Sequence, residues 1–135
     1  MSEQDTATDS VRSQRARSYS NGRYDGRPLR DWLSEVVDQV VTTSDPLEVI
    51  VFGSMARGDD GPASDIDLLV VLDHVELRDK ASVVTSIYRG LRCGVPVDIV
   101  VSDPDEIARD RHRVGSVLLP ALRDGRSLYR RPSPV

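Results

Sequence analysis

The chain has little cysteine, little lysine and no long apolar run, and each shortage excludes a class of protein. Its 135 residues include one cysteine, Cys93, so no internal disulfide can form. No apolar stretch approaches the roughly 18 residues that a membrane-spanning helix needs, and the first residues lack the apolar segment of a secretory signal. We therefore expect no membrane contact and a reducing compartment, the cytoplasm, with Cys93 as a small buried side chain.

Basic side chains are few outside the N-terminal residues. Residues 1–30 contain six arginines against four acids, whereas residues 31–135 contain 12 basic and 18 acidic side chains, for an overall net charge of −4. Proteins that follow nucleic-acid phosphates over a long surface carry an excess of positive charge there. We therefore expect no extended nucleic-acid surface on the body of the chain.

The composition divides the chain into a tail and one domain. Residues 1–27 are rich in Ser, Arg, Asp and Gly and show no apolar periodicity, which predicts a disordered tail. Residues 28–131 have the length and apolar content of a single domain with one core. Apolar residues recur there at helical spacing from Leu29 to Val41, and Trp32 lies on that stripe, so we expect Trp32 in the core.

Alternating helical and strand patterns predict an α/β fold, a small mixed β-sheet with helices packed against it. The predicted strands cover residues 47–52, 66–72 and 95–101, and the segment RSLYRR suits a further edge strand. The predicted helices cover residues 28–44 and the segments after Gly53, after Asp73, after Asp103 and before Gly125.

Two further predictions concern the later helices. The apolar spacing after Asp73 predicts one buried helix face, made of Leu77, Ala81, Val84, Tyr88 and Leu91. Asp103 is predicted to cap the next helix, with Pro104 in its first turn and Glu106 completing a capping box.

Acidic residues stand at the entrance of the most apolar segment, IDLLVVL. Asp65 and Asp67 are two residues apart, so in an extended strand both project from the same face, and Asp98 interrupts the next predicted strand in the same manner. A single buried aspartate is usually a capping or turn residue. Three carboxylates on neighbouring strands, without matching basic side chains, repel one another unless cations lie between them. Such oxygen ligands favour Mg²⁺, and two ions would stabilise both the entering and leaving oxygens of a phosphoryl displacement.

Gly53 and Ser54 follow a predicted strand and precede a short helix. A glycine there lets the backbone approach a ligand closely, and the first N–H groups of a helix, with a serine hydroxyl, can donate to phosphate oxygens. Alone, such a pair is most often a turn, and the segment lacks the Gly-Lys-Ser/Thr of a P-loop. Its meaning depends on the acids that follow it.

Taken together, Gly53-Ser54, a spacer of ten residues and Asp65-x-Asp67 form a specific pattern. This pattern resembles the signature of the minimal nucleotidyltransferases of the DNA polymerase β superfamily, Gly-Ser-x10-Asp-x-Asp. The segment VDIVV resembles the strand that bears the third acid of that family, here Asp98, and the resemblance extends over about residues 29–130. The residues that fit the signature are Gly53, Ser54, Ala56, Arg57, Gly58, Ser64, Asp65, Ile66, Asp67 and Leu68.

The resemblance implies the polymerase β palm-like nucleotidyltransferase fold and a role for each of the main residues. Gly53 and Ser54 would hold the β- and γ-phosphates of a nucleoside triphosphate, and Asp65 and Asp67 would bind two Mg²⁺ ions. Asp98 would bind the catalytic ion and help to take the proton from the attacking hydroxyl. Arg57 either contacts phosphate or only fixes the short helix to the acids.

The resemblance also implies a partner protein. Stand-alone members of this size are typically antitoxins that transfer AMP from ATP to a tyrosine of a HEPN-type toxin, and we expect that function here. Two alternatives stay open. The chain could modify a small hydroxylated molecule such as an aminoglycoside, or it could be a non-catalytic antitoxin that silences its partner by contact alone.

Overall fold

The computed structural model describes residues 18–61, 63–116 and 118–133. The strands of these ranges are β1 (Tyr19–Ser20), β2 (Arg23–Tyr24), β3 (Arg27–Pro28), β4 (Glu48–Phe52), β5 (Ile66–Val71), β6 (Val97–Ser102) and β7 (Arg126–Arg130). The α-helices are α1 (Leu33–Ser44), α2 (Ser54–Arg57), α3 (Lys80–Gly90), α4 (Pro104–Asp110) and α5 (Leu119–Asp124). Short 3-10 helices, Leu29–Trp32 and Leu77–Asp79, precede α1 and α3. None of the helices in the described ranges has the length and apolar content of a membrane-spanning segment.

The main sheet has four strands in the order β6-β5-β4-β7. Strands β5 and β6 run parallel, whereas β4 runs antiparallel to both β5 and β7. This mixed sheet with its helices confirms the predicted α/β fold. Strand β7 confirms the edge strand predicted for RSLYRR, since Arg130 pairs with Glu48 across the sheet.

The alternation of side chains along β5 divides the core between the two faces of the sheet. Leu68 and Val70 belong to the larger cluster, which is closed by α1 and α3 and includes Trp32. Leu69 belongs to the smaller cluster, which is closed by residues of α5 and the turn before it. The same alternation places Asp67 on the face of the smaller cluster.

The predictions for Trp32 and Cys93 are confirmed. Trp32 is 1% exposed, and its Nε1–H donates to the carbonyl of Tyr24 at 3.2 Å. Cys93 is also 1% exposed, and its burial, assisted by the charge of Glu35, raises the pKa of the thiol to about 11. The thiol therefore stays protonated near neutral pH and is not a nucleophile.

Residues 19–28 form a three-stranded antiparallel sheet, here called the N-terminal meander. Its turns are Asn21-Gly22 and Asp25-Gly26, with φ angles of 56°, 76°, 53° and 78° that suit two-residue hairpin turns. Residues 18–27 thus differ from the disordered tail predicted for residues 1–27. The prediction failed there because strands of two residues are too short to show an alternating pattern. Its remaining part, residues 1–17, lies outside the described residues.

The buried face of α3 also differs from the prediction. Its fully buried residue is Ile87, at 1% exposure, whereas Leu77 is 82% exposed. Leu77 lies in the 3-10 helix that precedes α3, and the tighter winding there breaks the periodicity assumed from the sequence. Tyr88, which was predicted to be buried, is 39% exposed, and its hydroxyl accepts the N–H of Ile99 on edge strand β6 at 2.9 Å.

The start of α4 is capped by Asp103, as predicted. Its side chain accepts the backbone N–H of Glu106 at 2.8 Å, and Pro104 occupies the first turn. The second half of the predicted capping box was wrong. The Glu106 carboxylate accepts hydrogen bonds from the ammonium of Lys80 at 2.7 Å and from the hydroxyl of Ser102 at 2.6 Å instead of completing the box.

Candidate active site

Asp67 and Asp98 meet at the amino-terminal ends of the two parallel strands. They are paired in register, Asp67 on β5 with Asp98 on β6, so both side chains project from the same face of the sheet. Asp65 directly precedes β5 and is exposed, as is Asp98, whereas Asp67 is half-buried. The structure therefore brings together the two strand aspartates, with Asp65 beside them.

The charge around Asp67 is unbalanced. Burial raises the pKa of Asp67 first, and the negative charges of Asp98 and Asp65 and a hydrogen bond shared with the Asp98 carboxyl raise it further. Within the described ranges, none of the three aspartates forms an ion pair with a lysine, arginine or histidine. The arrangement therefore favours binding of a positive species.

Gly53 brings the backbone against one of these carboxylates. It ends β4 with φ 73° and ψ −153°, a conformation that side chains disfavour. A Cβ at this position would collide with Oδ2 of Asp67. Only glycine lets the chain turn here from β4 into α2 while the Asp67 side chain keeps its place.

Ser54 begins α2 and connects the two ends of the motif. Its hydroxyl lies 3.2 Å from the hydroxyl of Ser64, the residue before Asp65, and the Ser64 hydroxyl also accepts the N–H of Gly61 at 2.8 Å. These contacts join the Gly53-Ser54 turn to the segment that leads to Asp65.

Comparison with known protein families identifies the family of the chain. Residues 33–119 match the family described as the nucleotidyltransferase domain, and that segment contains the Gly53-Ser54 turn and all three aspartates. The chain belongs to this family. The fold and the membership together support transfer of a nucleotidyl group as its generic activity.

A solved structure agrees with the assignment. This nucleotidyltransferase domain is similar to a Sulfolobus solfataricus protein, known from a crystal structure at 1.40 Å resolution, whose own assignment as a nucleotidyltransferase is provisional. The two chains are 28% identical with a TM-score of 0.55, over 76% of this chain and 81% of that one. Among curated protein sequences, none matches the chain.

Arg57 of the nucleotidyltransferase domain lies at the end of α2 and forms its ion pair with Asp59. Its Nε lies 3.2 Å from Oδ2 of Asp59, and about half of its side chain is exposed. Its positive charge lowers the pKa of Asp67, but this influence is smaller than those that raise the pKa. Arg57 therefore biases the site electrostatically without an ion pair to the three aspartates.

The donor set fits a hard divalent cation. Its ligands would be carboxylate oxygens, and the repulsion between Asp67 and Asp98 is relieved by a cation as well as by a proton. In the described residues there is no group of three acidic, histidine or cysteine side chains that could hold a metal ion. Mg²⁺ does not need one, because it commonly keeps several waters and takes one or two protein carboxylates together with substrate phosphates.

Sequence reasoning missed three neighbours of the site. Phe52 lies opposite Asp67 in the β4–β5 register, and the charge of Asp65 influences Tyr24 of the N-terminal meander. The contact of Ser64 with Ser54 was also missed. Ser64 could have been found from its position in the motif, and Tyr24 from the Asp-Gly turn that follows it. No sequence signal indicates that Phe52 pairs with Asp67 across the sheet.

Proposed function

We propose that the chain catalyses the Mg²⁺-dependent transfer of a nucleoside monophosphate from a nucleoside triphosphate to a hydroxyl group. The observation that carries the proposal is the Asp67–Asp98 pair, which is held in register, lacks a basic partner among the described residues and lies against the Gly53 turn. Such a costly accumulation of negative charge has a physical reason if a divalent cation and a phosphate bind there.

Each residue then has a defined task. Asp65 and Asp67 hold two Mg²⁺ ions, Asp98 holds the catalytic one, and Gly53 and Ser54 hold the terminal phosphates. When bound, the ions neutralise the charge that develops on the phosphate oxygens. The acceptor oxygen forms a bond to the α-phosphorus while the bond to the pyrophosphate oxygen breaks. Asp98 takes the acceptor's proton, and pyrophosphate leaves.

The donor we propose is ATP, and the acceptor is a tyrosine of a HEPN-type toxin, which makes the chain an antitoxin. The exposed Asp65 and Asp98 leave the site open to a side chain carried by another protein. Four cavities of about 260–410 Å³ lie elsewhere, and none of these four is lined by the three aspartates. An open site therefore favours a protein acceptor over an enclosed small molecule such as an aminoglycoside.

The test is a labelling assay with Mg²⁺ and ATP labelled at the α-phosphate, carried out with the protein encoded by the neighbouring gene as the candidate toxin. We expect label on that protein with the wild-type chain and loss of label with Asp67→Asn and Asp98→Asn. Asp124→Asn, at the end of α5, is the matched control and should label normally. Protection against the toxin by an Asp67→Asn variant that transfers no label would show a non-catalytic antitoxin. Label on a small hydroxylated acceptor alone would replace the toxin as substrate.

A further inference from the structure

Two serine hydroxyls of the candidate site lie against each other. The hydroxyl of Ser54 is 3.2 Å from that of Ser64, in a partly buried contact between residues ten positions apart. Ser54 begins α2, directly after the Gly53 turn, and Ser64 directly precedes Asp65. The contact therefore links the residue proposed to hold a terminal phosphate to a second hydroxyl that has no task in the proposed function.

The Ser64 hydroxyl is held in place by its own turn. The N–H of Gly61 donates to Oγ of Ser64 at 2.8 Å, and the N–H of Ser64 donates to the carbonyl of Gly61 at 3.0 Å. Beside this turn, Asp60 forms an ion pair with Arg30 from the 3-10 helix that precedes α1. A hydroxyl that is already ordered in this way loses little conformational entropy when it makes one more hydrogen bond.

The Ser54 hydroxyl has less support. The backbone carbonyl of Ser54 accepts the N–H groups of Gly58 at 2.9 Å and Asp59 at 3.1 Å. These bonds fix the backbone, but they leave the hydroxyl free to rotate among the staggered positions of its side chain. Within the described ranges, the Ser64 hydroxyl is the hydrogen-bond partner of the Ser54 hydroxyl. The direction in which Ser54 points its proton therefore depends on Ser64.

The number of donors decides how the two protons are arranged when a phosphate is bound. A serine hydroxyl donates one hydrogen bond and accepts up to two. Oγ of Ser64 already accepts the N–H of Gly61, and its own proton is available for Ser54. With that proton on Ser54, the Ser54 hydroxyl can donate to a phosphate oxygen. The reverse arrangement would turn the lone pairs of Ser54 toward a negatively charged ligand.

We infer that Ser64 is a positioning residue for nucleotide binding: its hydroxyl donates to Ser54 and thereby directs the Ser54 proton toward a terminal phosphate of the nucleoside triphosphate. This inference rests on the proposed function, in which Ser54 holds that phosphate. The bonds run in one direction, from the Gly61 N–H through Ser64 to Ser54, and each polarises the next. Ser64 itself does not touch the substrate, so its whole effect passes through Ser54.

Calorimetric titration of the full chain with Mg²⁺-ATP tests the inference. We expect Ser64→Ala to weaken binding about 2- to 10-fold, the range of one net hydrogen bond. Ser64→Thr keeps the hydroxyl and should bind within about 2-fold of the wild type, whereas Ser64→Val has a similar shape without the hydroxyl and should bind as Ser64→Ala does. The comparison of threonine with valine separates the hydrogen bond from a change in packing.

A double-mutant cycle tests whether Ser64 acts through Ser54. In the Ser54→Ala background, Ser64→Ala should change the affinity for Mg²⁺-ATP by less than about 2-fold, because the group that it orients is gone. Ser116→Ala is the matched control, since the Ser116 hydroxyl also accepts a backbone N–H, that of Leu118 at 3.1 Å. This variant should bind Mg²⁺-ATP as the wild type does.

The outcomes separate the inference from the proposed function. If the wild type binds Mg²⁺-ATP and both Ser64→Ala and Ser64→Val bind it equally well, the inference is overturned while the proposed function stands. It is also overturned if Ser64→Ala weakens binding as much in the Ser54→Ala background as in the wild type, because Ser64 would then act only by holding the chain before Asp65. If the wild type does not bind Mg²⁺-ATP, the proposed function itself fails.

Discussion

The two ends of the parallel strands β5 and β6 hold acidic side chains under opposite conditions. At the carboxyl end, Asp103 is 4% exposed, and burial alone would raise its pKa, but the backbone N–H groups of Val75 and Glu106 lower the pKa below its ordinary value. At the amino end, burial and the neighbouring acids raise the pKa of Asp67. Both carboxylates are desolvated, so the difference comes from their partners.

The comparison teaches which acids serve the fold and which need a ligand. Glu106 follows the pattern of Asp103: burial tends to raise its pKa, but Lys80 and Ser102 lower it. At this end of the strands, the chain itself supplies the hydrogen-bond donors that both carboxylates need. Among the described residues, the main charged neighbour of Asp67 is a second acid, Asp98, and not a basic side chain. A buried acid with complete hydrogen bonding is a structural element, whereas one faced by a second acid marks a binding site.

The largest expected effect is at the amino end, where Gly53→Ala forces a Cβ against Asp67. We expect nucleotidyl transfer to fall at least about 100-fold, because a displacement of the carboxylate by about 1 Å is enough for such a loss. The free energy of unfolding should fall by about 1–3 kcal/mol from the strained φ and the collision. Transfer rates and urea unfolding measure the two effects.

Gly115→Ala is the matched control for that variant. Gly115 also has a positive φ, 88°, but an added Cβ would meet nothing within 4 Å. It should lose only about 1 kcal/mol of stability and keep its transfer rate. Equal losses of activity in the two variants would contradict the role given to the contact with Asp67.

At the carboxyl end, we expect Asp103→Ala to lower the free energy of unfolding by about 2–3 kcal/mol, because α4 loses its cap and the buried N–H of Val75 loses its acceptor. Transfer activity of the folded variant should stay close to that of the wild type. Asp103→Asn retains an acceptor oxygen and should lose less. Urea unfolding followed by circular dichroism makes the measurement, and a loss of transfer by the folded Asp103→Asn variant would remove the functional contrast between the two ends.

A smaller loss is expected from Lys80→Met. The two Glu106 oxygens lie 2.7 Å from the Lys80 ammonium, in a partly buried pair, so its removal should cost about 1–2 kcal/mol of unfolding free energy. Arg123→Met is the control, since the exposed Arg123–Asp124 pair at 3.8 Å should contribute less than about 0.5 kcal/mol. Thermal or urea unfolding of both variants, compared with the wild type, decides whether burial separates them.

The smallest effect concerns pH, and the two ends should respond with opposite signs. Asp67 has a raised folded pKa, so its favourable contribution is complete only below the ordinary carboxyl pKa and is lost as pH rises. Asp67→Asn should therefore be as stable as the wild type or more stable at pH 7, by no more than about 1 kcal/mol because solvent screens the half-buried charge. The stability gained by Asp67→Asn should shrink as the pH is lowered toward 4.

Asp103 has a lowered folded pKa, so its contribution is complete above the ordinary carboxyl pKa and is lost as pH falls through the folded value. The deficit of Asp103→Asn relative to the wild type should therefore be largest at pH 7 and decrease in acid. Urea unfolding of both variants between pH 7 and pH 3 gives the two slopes. Slopes of the same sign would show that Asp67 has a stabilising partner.

Much of the site follows from local sequence rules. The period of two along a strand led to the prediction that Asp67 and Asp98 meet if their strands are neighbours, and the β5–β6 register pairs them. The Gly53-Ser54 turn was also predictable, because a glycine between a strand and a helix leaves few alternatives. These features depend on residues that are close in sequence or on one repeated spacing.

The features that were missed depend on distant partners or on short elements. Glu106 binds Lys80, 26 residues away, and no local pattern reveals that choice over a capping box. The N-terminal meander has strands of two residues, so its signal was confined to the Asn21-Gly22 and Asp25-Gly26 turns, and the hydrogen bond that joins it to Trp32 is not visible in the sequence. The phase of α3 was misjudged because Leu77 winds differently from the helix that follows it.

The hydrogen bond from Ile99 to the Tyr88 phenol has a consequence for self-association. Strand β6, which carries Asp98, is an outer strand of the sheet, and an outer strand invites a strand of another molecule to align beside it. With the amide of Ile99 already occupied, a foreign strand must first displace Tyr88 to dock next to Asp98. The Tyr88 phenol thereby hinders the pairing of β6 with a strand of another molecule, a step that would lead to aggregation.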